Sequence, residues 1–87
     1  MNQKEAEKIL ATRYSPRALI TVKLMTDNPH RGTFYADLIK YRYFMGMSAN
    51  KVRNILIHKY GIYISPKMYD RYQQTALRRF GRLWPDD

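Results

Sequence analysis

Four residues of this chain, Lys67, Arg71, Gln74 and Arg78, recur at steps of i, i+4, i+7 and i+11. On an α-helix those steps fall on one face. An arginine presents a planar fork of donors to phosphate oxygens or guanine edges, a glutamine can pair with adenine, and a lysine meets phosphate as a point charge. The chemistry on offer is therefore recognition of a polyanion. A solvated helix face can carry the same residue types, so the surroundings matter. Residues 51 to 82 hold Lys51, Arg53, Lys59, Lys67, Arg71, Arg78, Arg79 and Arg82 against Asp70 alone.

Other chemistries have little to stand on. His30 and His58 lie apart with no cysteine or acidic partner at a ligand spacing, so no metal site is expected. No nucleophile stands at motif distance from a base, no glycine-rich phosphate loop is present, and the one close carboxylate pair, Asp86 with Asp87, is terminal. Neither enzymatic activity nor a cofactor is expected. Of the eight tyrosines, Tyr35, Tyr41, Tyr69 and Tyr72 sit at core spacings, and Tyr43 and Tyr63 are the ones that look free to meet a ligand.

The elements that would position the basic stripe read as helices. Residues 3 to 13 form a short amphipathic helix with Ala6, Ile9, Leu10 and Arg13 at helical steps and acids in its first turn. Ser15 and Pro16 restart the chain. The apolar run 18 to 25 follows, its Ser-Pro start arguing helix and its β-branched Ile20, Thr21 and Val22 arguing strand; helix is favoured. That run is either core or a dimer contact, with core preferred. Asn28, Pro29 and Gly32 mark a break. A helix from an N-cap at Thr33 would then carry Phe34, Leu38, Tyr41 and Met45 along one side, with Tyr35 and Ile39 beside them.

Gly46 should end that helix and Ser48 cap the next, whose Ala49, Val52, Ile55, Leu56 and Lys59 trace its inward stripe. Gly61 offers a positive φ at the helix end. Ile62, Tyr63 and Ile64 make an extended linker with the two isoleucines on one side. Ser65 caps the last helix, and Pro66 fits its first position. That helix runs to about Phe80, its face of Tyr69, Tyr72, Ala76, Leu77 and Phe80 opposing the basic one. Gly81 should close it, Leu83 and Trp84 fold back, and residues 81 to 87 form a tail.

At 87 residues the chain should be one domain with a modest core, for which dimerisation would be a remedy. Sixteen lysines and arginines against seven acids give a net charge of +9, which draws polyanions. Cysteine is absent, as suits a reducing interior. The polar start does not read as a signal peptide, and no apolar run approaches the ~18 residues of a membrane span. An intracellular, cytoplasmic protein without a membrane partner is expected.

Gly46, Ser48, Val52 and Leu56, followed by Gly61, Ile62, Ile64, Ser65 and Arg71, resemble the helix-turn-helix of homeodomain-like proteins, the DNA-binding domains of transposases and resolvases included. The resemblance covers residues 33 to 80. It departs from the pattern at Arg53, where alanine is usual, and at Met68 and Tyr69, where threonine and valine are common. It implies an all-α fold with a three-helix core over residues 33 to 80, preceded by one or two N-terminal helices within residues 1 to 26.

Function follows the same line. The resemblance and the stripe together imply a double-stranded DNA-binding protein, a small transcriptional regulator or a mobile-element or phage-type factor. Its recognition helix would place Lys67, Arg71, Gln74 and Arg78 in the major groove. Lys51 and Arg53 would hold phosphates from the preceding helix, with Arg31, Arg79 and Arg82 extending the footprint. Two alternatives stay open: a basic protein that docks on an acidic protein partner such as a nucleic-acid enzyme, and an RNA or single-strand binder.

Overall fold

The last helix, α5 (Pro66–Leu83), is the element that all the other helices pack against. The computed structural model describes residues 1–12 and 15–85. In chain order the preceding helices are α1 (Gln3–Ala11), α2 (Pro16–Met25), α3 (Gly32–Ile39), which continues as a π-helical turn over Lys40–Phe44, and α4 (Ala49–Tyr60). The described residues contain no strand, so the fold is all-α, as expected. The Cα radius of gyration, 12.1 Å, is that of a compact chain of this length.

The helix starts that the sequence marks with Ser15, Ser48 and Ser65 form as marked. The Ser15, Ser48 and Ser65 hydroxyls accept from the backbone N–H groups of Ala18, Lys51 and Met68 at 3.1, 3.2 and 3.1 Å. Asn2 does the same for Glu5 at 2.9 Å. Such a cap contributes about 1 kcal/mol to a helix. The ambiguous run 18 to 25 is helical, and its β-branched Thr21 is accommodated because the buried hydroxyl donates to the Arg17 carbonyl at 2.7 Å. Ala18, Val22 and Met25 enter the core, while Leu19, Ile20 and Leu24 stay exposed. The N-terminal helix ends at Ala11; Arg13, expected in its stripe, lies outside the described residues.

Three boundaries differ from expectation. Helix α3 begins at Gly32 behind Arg31, which takes the left-handed conformation at φ 62° and makes no side-chain cap, so Thr33 is inside the helix and not its N-cap. A tight α2–α3 corner sets this start, in which the Asn28 carbonyl accepts from Gly32 N–H at 3.1 Å.

At its other end α3 widens. Met45 N–H bonds the Lys40 carbonyl five residues back at 2.9 Å, and Met47 N–H reaches Tyr41 at 3.0 Å. The wider turn keeps Phe44 on the face of Ile39, so Phe44 is buried and Met45, expected inward, is 58% exposed. Finally, α5 runs through Gly81 to Leu83, because Gly81 is packed against Met1 and is not a free terminus. The tail expected from residue 81 begins later. Trp84 does fold back, its ring 5.5 Å from that of Phe80, with Arg17 over it at 5.4 Å.

The core centres where α3, α4 and α5 meet. Phe34 lies edge-on to Tyr35, Tyr60 and Tyr72 at centroid distances of 5.3, 5.2 and 5.1 Å. Leu38, Val52, Leu56, Ile64 and Phe80 are fully buried around them, and full burial of a side chain of this kind stabilises by about 1.5–3 kcal/mol. On α4, Ile57 and Tyr60 pack against this core, whereas Ile55, expected in the inward stripe, does not join it. Lys59 is exposed and turns its ammonium to Asp37 at 2.8 Å. In the linker Ile64 is buried but Ile62 is exposed, so the two isoleucines do not share an environment.

Candidate nucleic-acid interface

The turn that sets α5 against α4 is five residues long, 61–65. Gly61 closes α4 at φ 62°, a left-handed conformation that glycine adopts without a Cβ penalty. Ile64 anchors the turn from inside, and the Arg53 guanidinium ties it from α4, donating to the Ile64 carbonyl at 2.8 Å and to Asn50 Oδ1 at 3.1 Å. Bulk at Met68 and Tyr69 is absorbed by the core, Met68 half-buried and Tyr69 buried.

On α5 the two faces separate. Tyr69, Ala76, Leu77, Phe80 and Gly81 are buried, whereas Lys67, Asp70, Arg71, Gln74, Arg78 and Arg82 are all exposed. At 100° per residue the exposed six fall within about a third of the helix circumference. From Lys67 to Arg82 the strip extends for about 22 Å at 1.5 Å per residue. It holds four cations and one acid. Arg78 is steadied by Thr75, whose hydroxyl accepts from the guanidinium at 3.1 Å.

The remaining candidates are distributed differently. Lys51 is exposed on the first turn of α4. Arg53 is half-buried in the turn brace. Arg79 lies on the inner flank of α5, stacked over the Tyr35 ring at 4.4 Å with its guanidinium donating to the His30 carbonyl at 2.5 Å. Both therefore hold elements together. Arg31 is exposed but borders a separate concavity of about 510 Å³ with Pro29, Phe34, Tyr60 and Ile62, which no residue of the α5 strip lines. The structure thus brings together Lys67, Arg71, Gln74, Arg78 and Arg82, and leaves Arg31 away from them.

Of the two tyrosines expected to be available, Tyr63 is 75% exposed. Tyr43 is half-buried, its hydroxyl donating to Glu7 at 3.3 Å and Arg42 lying over its ring. Burial and the neighbouring Glu7 carboxylate push its phenol well above the ordinary range, so it stays protonated. One feature the sequence did not single out is Lys4 on α1, which lines one concavity with Arg78 and another with Lys8 and Arg42. Its signal was the i, i+4 spacing of Lys4 and Lys8.

Fold and surface together define a small all-helical domain with an exposed basic strip on its central helix. No family model, curated protein or solved structure matches the chain. No helix among the described residues is long and apolar enough to cross a membrane.

Proposed function

We propose that this domain binds duplex DNA, with α4 and α5 acting as a helix-turn-helix and α5 lying in the major groove. One observation carries the reading: Lys67, Arg71, Gln74 and Arg78 are exposed together on the outer face of a helix whose other side is locked into the core. A groove about 12 Å wide admits a helix presented in this way, and rigid support lets its side chains read base edges. Arg71 and Gln74 contact bases; Lys67, Arg78, Lys51 and Arg82 hold phosphates. Such a role places the protein in the DNA-containing compartment of the cell, as a small regulator or accessory factor.

The test is a gel shift with the double variant Arg71→Ala, Arg78→Ala. Both side chains are exposed, so the fold should persist, as circular dichroism would show. The wild-type chain should shift duplex with an affinity that falls steeply as salt rises, and the variant should lose the shift. Unchanged duplex binding by a folded double variant overturns the assignment. Preference for single-stranded DNA or RNA, or nuclease-resistant capture of one acidic protein, would instead favour the other partners of a basic surface.

A further inference from the structure

The N-terminal helix lies beside the basic strip. α1 packs on α5 through its buried Ala6 and Leu10 side, and Gly81 of α5 sits against Met1. The opposite side of α1 carries Lys4 and Lys8, both exposed. Lys4 and Arg78 line one surface concavity; Lys4, Glu7, Lys8 and Arg42 line the next. Because Lys4 borders both, Arg78, Lys4, Lys8 and Arg42 form one cationic track leading off the α5 strip and along α1. Glu7 lines the second concavity as well, its carboxylate accepting from the Tyr43 hydroxyl at 3.3 Å, so three cations face one acid there, and Glu5 lies about 60° around the helix from Lys8.

We infer that α1 is a second phosphate-binding element, in which Lys4 and Lys8 hold the sugar-phosphate backbone of the strand bordering the groove that α5 enters. This rests on the DNA-binding reading and adds a site to it. Spacing supports the partner. Lys4 and Lys8 are separated by about 6 Å along the helix axis, while charges on one DNA strand recur every ~3.4 Å along the duplex. The two ammonium groups can therefore engage phosphates of a single strand together. Such contacts fix register and orientation and carry no sequence information.

The experiment compares three variants on one duplex over a range of salt: Lys4→Ala with Lys8→Ala, Arg71→Ala with Arg78→Ala, and Lys23→Ala on the exposed side of α2 as a control for net charge. The α1 variant should bind more weakly, with a log K against log salt slope shallower by about 2. Its preference for one duplex sequence over another should be unchanged, and the Lys23 variant should retain the wild-type slope. If the wild-type chain binds duplex and loses binding through Arg71 and Arg78, yet the α1 variant keeps the wild-type slope, the α1 site is overturned while the DNA-binding reading stands. An equal change of slope per charge in the Lys23 variant also overturns it, because the effect is then one of overall charge. Absence of duplex binding by the wild-type chain removes both.

Discussion

The Tyr60 hydroxyl donates to Asp37 Oδ2 at 2.6 Å, joining the end of α4 to the middle of α3, and the Lys59 ammonium reaches the same oxygen at 2.8 Å. Asp37 is almost wholly buried, so its carboxylate depends on these two donors. The Lys59 ammonium also donates to the Tyr41 hydroxyl oxygen at 3.4 Å. This cluster fixes α4 on α3, and with it the turn that presents α5.

Removing the carboxylate should loosen that platform. Asp37→Ala leaves the Tyr60 hydroxyl and Lys59 without their acceptor, and a loss of about 1–3 kcal/mol in unfolding free energy is expected. For a domain of this size each 1 kcal/mol lowers Tm by roughly 4–8 °C. Tyr60→Phe should cost less, because Lys59 still satisfies Asp37. Equal melting temperatures for wild type and Asp37→Ala in calorimetry would contradict the role.

Alkaline pH should weaken the fold. Burial, then the Asp37 hydrogen bond, pushes the Tyr60 phenol up to about 12, and burial does the same for Tyr69. Lys59 is raised too, chiefly by its hydrogen bond to Asp37. In each case the protonated form is favoured in the folded chain. The stabilisation is therefore complete below the ordinary values near 10 and is lost as pH climbs through the raised ones. Urea midpoints should fall between about pH 10 and 12, and Tyr60→Phe should flatten part of that decline.

Much of this architecture was legible because it rests on local rules. The serine caps at 15, 48 and 65 and the glycine at 61 act within a few residues of themselves, and each appears where the sequence places it. What escaped depends on distant partners. The π-helical turn exchanges Met45 for Phe44 in the core, and α5 passes Gly81 where Met1, eighty positions earlier in the chain, packs against it. The same holds at the surface. Arg53 and Arg79 look like their exposed neighbours in composition, and only the Ile64 carbonyl, the His30 carbonyl and the Tyr35 ring reveal their structural use.

The two glycines at helix ends should respond differently to alanine. At Gly61 the positive φ is the only obstacle, since a Cβ would meet nothing within 4 Å, and a cost of about 1 kcal/mol follows from the left-handed backbone. At Gly32 a Cβ would run into the Met25 carbonyl oxygen and crowd Asn28 Cβ at 3.1 Å. Backbone cannot yield as a flexible side chain can, so Gly32→Ala should be the more damaging of the two. Chemical denaturation of both variants checks the order.

Gln74 should affect specificity more than affinity. It stands exposed between Arg71 and Arg78 on the proposed groove face, where its amide can pair with adenine. In a selection from random duplexes, Gln74→Ala should relax the preference at one base position, with a loss of about 1–3 kcal/mol of discrimination there. The salt slope should be unchanged because no phosphate contact is removed. A variant that reads the same sequence as strongly as the wild type would place Gln74 outside the base-contacting set.

Arg79 offers the complementary case of a cation that the fold has claimed. Its guanidinium stacks on Tyr35 and bonds the His30 carbonyl, so Arg79→Ala removes a cation–π contact and a charge-assisted hydrogen bond at the α3–α5 seam. Such interactions contribute on the order of 1 kcal/mol each. The expected outcome is a lowered Tm with the dependence of duplex affinity on salt retained at a temperature where the variant is folded. Arg78→Ala, one residue away but exposed, should do the reverse and leave Tm within a degree or two while making the slope shallower by about 1. The pair separates structure from binding along a single helix. If Arg79→Ala alters the slope as Arg78→Ala does, Arg79 swings outward on DNA and the division between the two sides of α5 is not the one described.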